Sequence, residues 1–167
     1  MILAVIHSCS PSPLYLRGVF YKEEQKLNIF IGMKVPRENA ELRQAADLLA
    51  AAVLDSGHTP FVATDEIAKR SMRDPGIFMP FVRHHIQHAD LVIILNHPEL
   101  RGGLIEAGMA YAWDIPLWLC CRAGERVSSS MRGCADIMIE YETLDDLRDK
   151  LSGLLMDKSR FAGFQNQ

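Results

Sequence analysis

Apolar runs too short to be helices recur along this chain, and segments of helical periodicity separate them. Residues 90–95 (D-L-V-I-I-L) are the clearest, joined by 27–32 (L-N-I-F-I-G), 58–63, 115–121 and 136–141. A strand that is apolar on successive residues has to be covered on both faces. Between the strands, residues 38–56 place Leu42, Ala45, Leu49 and Val53 at helical spacing and stop at Gly57. Residues 78–88, behind Pro80, and 103–113 read as two further helices. Residues 143–156 form a closing helix, with Leu144, Leu147, Leu151 and Leu154 on one stripe and Thr143 as N-cap. Such alternation predicts an α/β fold: a doubly wound five-stranded parallel sheet, flavodoxin- or Rossmann-like. Ligands then bind beyond the carboxyl ends of the strands, where the strand order reverses. The segments that matter are therefore 33–39, 64–75, 96–103 and 122–133, of which 64–75 is polar and irregular, with room for a helical turn.

The expected domain runs over residues 27–157. Residues 1–26 form an N-terminal extension of no assigned role, in which 14–21 suit an added edge strand, and 158–167 a mobile tail. Of 167 residues, 49% are apolar, which is enough for a sizeable core, and the net charge of −3 offers no basic surface for a nucleic-acid polymer. No apolar run approaches the ~20 residues of a membrane span, and no basic stretch precedes the apolar start as a secretory signal requires. Cys9, Cys120, Cys121 and Cys134 lack metal-ligand spacing and read as reduced thiols, which suits a cytoplasmic protein. His84 and His88, at i and i+4, are the one arrangement that suggests a metal, with His97 or Asp90 as a third ligand. Packing histidines are the preferred reading, and neither metal nor cofactor is expected.

Glu106 stands just inside the helix that follows the clearest strand and a loop ending in Gly102 and Gly103. Free N–H groups and the helix dipole at such a place favour an ionised carboxylate. The glycines allow backbone to approach a ligand closely. A charged carboxylate at the switch point is what attack on an anomeric carbon requires. On spacing alone, a first-turn acid that merely stabilises its helix fits equally well.

Ala89 and Asp90, the apolar strand, residues 103–112 (GLIEAGMAYA) and then Ile115-Pro116 resemble the signature of the nucleoside 2-deoxyribosyltransferases. The resemblance implies Glu106 as nucleophile, with Gly32, Met33, Asp90, Gly103 and Met109 around the substrate. Residues 126–136 (RVSSSMRGCAD) resemble a segment of the 2′-deoxynucleoside 5′-phosphate N-hydrolase branch, one residue shorter here. In that branch a serine and a methionine of this loop enter the neighbouring subunit's site and the serine helps hold the 5′-phosphate. The matching positions are Ser129 and Met131. With Arg126 and Arg132 beside them they form an expected phosphate-binding group. A homodimer or higher homo-oligomer acting on a small nucleoside or nucleotide follows from the resemblance.

Three positions depart from the family pattern. Val82 stands where relatives carry a second carboxylate, leaving Asp65, Asp74 or a histidine as substitutes. Residues 29–33 (IFIGM) lack the tyrosine that relatives place near the glycine, and Leu100 replaces a loop serine. The leading expectation is an N-glycosidase that hydrolyses or transfers the (deoxy)ribosyl group. A non-catalytic nucleotide sensor is the second. An NAD glycohydrolase, by fold-level likeness to toll/interleukin-receptor-type enzymes, is the third.

Overall fold

A computed structural model describes residues 26–34 and 39–157. The expectations for the extension at 1–25, the loop residues 35–38 and the tail at 158–167 lie outside the described residues. The elements run β1 (Asn28–Gly32), α1 (Ala40–Asp55), β2 (Thr59–Val62), α2 (Ala63–Lys69), α3 (Pro75–Gln87), β3 (Leu91–Leu95), α4 (Gly102–Ala112), β4 (Leu117–Arg122), α5 (Ser129–Cys134), β5 (Ile137–Tyr141) and α6 (Leu144–Met156). The strands form one sheet in the order β2-β1-β3-β4-β5, and every neighbouring pair is parallel. This is the flavodoxin-like α/β architecture expected from the sequence. The order reverses between β1 and β3, whose register pairs Gly32 with Ile94 at their carboxyl ends.

Two cores follow from the strand pleat, because successive side chains point to opposite faces. Ile29, Ile31, Leu91, Ile93, Leu95, Trp118 and Cys120 pack toward α1 and α6. Phe30, Val92, Ile94, Leu117 and Leu119 pack toward α3 and α4. Each large side chain so buried contributes roughly 1.5–3 kcal/mol relative to exposure. Helix α1 begins where the Asn39 side chain accepts from the Leu42 N–H at 3.1 Å, and the chain turns away at Gly57, whose φ of +84° suits glycine. The cysteines Cys120, Cys121 and Cys134 are unbridged.

Two aspartates tie the amino ends of the strands. The Asp90 carboxylate accepts from the Asn28 N–H at 2.7 Å, and the Asp136 carboxylate accepts from the Leu117 N–H at 2.8 Å. Each joins the start of one strand to the start of its neighbour.

The segment 64–75, read as irregular with room for a helical turn, holds the short helix α2 as far as Lys69, an irregular stretch over 70–74 and the first residue of α3. The Asp74 side chain accepts from the Gly76 N–H at 2.8 Å and caps α3 with Pro75 at its first position, so α3 begins three residues before the sequence reading. The loop at 122–133 likewise gives way at its end to α5, capped by Ser128, whose hydroxyl accepts from the Met131 N–H. His85 is a packing residue: its ring lies 3.8 Å from that of Phe61, and burial holds its pKa below the usual histidine value.

Candidate active site

Helix α4 buries Gly103, Glu106, Ala107 and Ala110, a one-face pattern of i, i+3, i+4 and i+7 that turns Glu106 onto the sheet. The carboxyl group arrives over the switch point. A Cβ built at Gly32 would overlap Glu106 Oε2 and come within 2.5 Å of Ile94 Cδ1, so only glycine at the end of β1 leaves room for this acid. Glu106 is 8% exposed, the one buried polar or charged residue among those described, and its Oε2 atom has no hydrogen-bond partner.

That isolation corrects the sequence reading of its charge. Helix α4 starts at Gly102, so Glu106 is the fifth residue and lies beyond the first turn, whose free N–H groups would have favoured ionisation. Burial dominates instead and pushes the carboxyl up to about 7. A carboxyl group that exchanges its proton near neutrality, shielded from water and without a fixed partner, can serve as nucleophile or as acid–base.

Thr64 is a candidate site residue that sequence reasoning missed. It follows β2 in the first turn of α2, two residues beyond the Ile31–Val62 pairing, and its Oγ1 is buried without a hydrogen-bond partner. A buried hydroxyl left unpaired costs about 1–3 kcal/mol, so two such groups at the same end of the sheet are conspicuous. The only sequence signal was a threonine directly after a strand, in a segment that looked irregular.

Charged pairs ring this end. Lys34, two residues past Gly32, pairs with Glu99 of the β3–α4 loop. Arg43 of α1 pairs with Asp65 of α2 at 2.6 Å, and Arg122 at the end of β4 pairs with Glu41 of α1. On the α1/α6 side, a cleft of about 180 Å³ is lined by Asn39, Leu95, Asn96, His97, Arg122 and Tyr141 among others. Glu106 lies on the opposite face of the sheet and does not line it.

Of the residues singled out in the sequence, the structure brings Gly32 and Glu106 together. Asp90 is placed elsewhere: it sits at the amino end of β3, engaged with the Asn28 N–H, four residues of strand or roughly 13 Å before Ile94, which pairs with Gly32 beside Glu106. The contact Asp90 makes is a structural one, between the starts of β1 and β3. Gly103 admits the protein's own Leu100, whose Cδ2 would lie 2.6 Å from a Cβ there, and not a ligand. Leu100 is itself buried in the α3/α4 core. Met33 is buried toward α1 and α6, and Met109 packs against the α3/α4 core.

Met131, expected to reach into a neighbouring subunit, is 2% exposed and packed in its own chain's core. Arg126, Ser129 and Arg132 are exposed. The Arg126 carbonyl accepts from Asn96 Nδ2 at 3.4 Å, which sets the start of this loop beside the carboxyl end of β3. Val82, in place of a second acid, is a core residue, and both substitute carboxylates are engaged, Asp65 with Arg43 and Asp74 at the cap of α3.

No family model matches the chain, and no curated protein matches it. Solved structures do share its fold. The CMP N-glycosidase BcmB of Clostridium botulinum is 17% identical, with a TM-score of 0.61 over 76% of this chain and 98% of that one. BlsM, solved in solution, is 18% identical, with a TM-score of 0.61 over 81% and 94%. A 2-deoxyribosyltransferase of Bacillus psychrosaccharolyticus is 17% identical, with a TM-score of 0.57 over 73% and 90%. Among the described residues no helix is long and apolar enough to cross a membrane.

Proposed function

We propose that this protein is an N-glycosidase of the nucleoside deoxyribosyltransferase type, acting on a nucleoside or nucleoside 5′-monophosphate with Glu106 as nucleophile. The observation that carries the reading is the unpartnered Glu106 Oε2, buried against Gly32 at the switch point. The fold is shared with a CMP N-glycosidase and a 2-deoxyribosyltransferase, which supports the choice of reaction.

In the reaction, a Glu106 oxygen attacks C1′ as the C1′–N bond breaks. The bonding pair leaves with the base, which takes up a proton from water. Water, or a second base, then attacks C1′ of the glycosyl ester and releases the Glu106 carboxylate. Positive charge develops on the sugar in the transition state, and a nearby carboxylate in a water-poor site stabilises it strongly. The same charge favours ionisation of Glu106 when substrate is bound. Thr64 Oγ1 supplies a hydrogen bond to the substrate at the end of β2. Were the substrate a monophosphate, the exposed Arg126, Ser129 and Arg132 would be a second group of donors for its phosphate beside Lys34. The outer face of α4, where Leu104, Ile105 and Tyr111 are exposed, is the surface to pair protomers in a homo-oligomer.

A second reading, a nucleotide sensor without chemistry, is favoured by one observation: Val82 replaces the second acid, and Asp65 and Asp74 are committed elsewhere. Chromatography of free base after incubation with a panel of nucleosides and monophosphates separates the two. Base released by wild type and lost in Glu106→Gln supports the enzyme. Thermal stabilisation by a nucleotide with no base release from wild type supports the sensor.

A further inference from the structure

The Lys34–Glu99 pair stands at the same end of the sheet as the proposed nucleophile. Lys34 is two residues past Gly32, and so within ~7 Å of it along the backbone. Glu99 comes from the other side of the switch point, in the loop between β3 and α4. The pair therefore bridges the carboxyl ends of β1 and β3, the two strands between which Glu106 is lodged.

Glu99 is held in place from below. Its N–H donates to His97 Nδ1 at 3.1 Å, the next N–H, of Leu100, donates to the His97 carbonyl at 2.9 Å, and the Leu100 side chain is anchored in the core against Gly103. Lys34 is the more covered partner, with 29% of its side chain exposed against 70% for Glu99. The hydrogen bond from Lys34 keeps the Glu99 carboxyl below the usual carboxylate range, so Glu99 is charged at neutral pH. The other two pairs on this rim, Arg43 with Asp65 and Arg122 with Glu41, are likewise matched cation to carboxylate across elements.

We propose that Glu99 occupies, on Lys34, the place a substrate phosphate would take, and that this pair turns the site toward uncharged nucleosides and away from nucleoside 5′-monophosphates. A phosphate approaching Lys34 meets the Glu99 carboxylate, of like charge, and must displace it. An uncharged 5′-hydroxyl meets no such opposition and can donate to Glu99. Leu100 adds to the bias, since an aliphatic side chain turned into the core offers nothing to a phosphate. The inference rests on the Glu106 N-glycosidase reading for its choice of substrate. The exchange of carboxylate for phosphate on Lys34 can be measured without turnover.

The experiment uses the full chain as wild type, Glu99→Gln, Lys34→Met and the double variant. Calorimetry measures binding of cytidine, cytidine 5′-monophosphate and inorganic phosphate, and chromatography measures release of base. Glu99→Gln is expected to raise affinity for the monophosphate about tenfold relative to the nucleoside, and Lys34→Met in the same chain to cancel the gain. No gain in Glu99→Gln, or a gain that persists without Lys34, overturns the proposal. A Lys34-dependent gain in a protein that releases no base from any substrate leaves the discriminator standing and sinks the N-glycosidase reading instead.

Discussion

The two ends of the sheet handle their polar side chains in opposite ways. At the amino end, Asp90 and Asp136 each accept a backbone N–H from the adjacent strand, at 2.7 and 2.8 Å. At the carboxyl end, Glu106 Oε2 and Thr64 Oγ1 are buried with no partner. Folding alone rewards the first arrangement and penalises the second, since an unpaired buried group costs about 1–3 kcal/mol. Two such costs gathered at the carboxyl end mark it as a place where something else completes the bonding. Carboxylates with the same chemistry thus serve two purposes, set by what surrounds them.

The contrast can be broken most forcefully at Glu106. Glu106→Gln should lower base release at least ~10³-fold, the scale on which loss of a covalent nucleophile acts, while the chain stays folded by circular dichroism. Equal release from both proteins would remove Glu106 from the chemistry. Gly32→Ala is the next largest effect. The new methyl group would drive into the acid and into Ile94, so base release should fall about 100-fold and stability by about 1–3 kcal/mol in urea titration.

Acidity sharpens the comparison further. Glu106 is raised from 4.5 to about 7 by burial. Between those values the unfolded chain has released a proton that the folded chain keeps, so stability should decline as pH climbs from about 4.5 to about 7, by on the order of 3 kcal/mol. Above about 7 this contribution levels off. Urea titrations across that window should show the decline in wild type and lose it in Glu106→Gln. In the proposed reaction Glu106 must be ionised, so base release should rise with pH through the same region. Smallest is the amino end: Asp90→Ala and Asp136→Ala should each cost about 1–2 kcal/mol of stability and leave base release within about twofold of wild type. A large loss of activity in a folded Asp90→Ala protein would restore that residue to the site.

The sheet was legible because its signal is local. Leu91–Leu95 is fully buried, and a run of that kind announces itself. The strands lie close to where the apolar pattern put them, and the helix bounded by Asn39 and Gly57 does as well. Helix α2 was not legible: its seven residues carry one buried side chain, Ala63, and too short an apolar stripe to read. The position of Glu106 could be read from its neighbours in sequence, but its charge state could not. Burial depends on Gly32 and Ile94, which come from two other strands. The place of Asp90 in the fold was hidden for a related reason. A motif records that residues accompany one another, and a strand five residues long separates Asp90 from the end that holds Glu106. The Lys34–Glu99 pair joins residues 65 positions apart, beyond the reach of any local pattern.

The fit between Gly32 and Glu106 has a consequence for how this chain can change. The two positions are locked as a pair: while the acid stays, no side chain can enter at the end of β1 without displacing it or Ile94. Once the acid is gone, the constraint on the glycine loosens. A lineage that abandons the reaction is thus free to fill that gap, and after filling it cannot regain the acid by a single substitution. The loss of function would be ratcheted by packing.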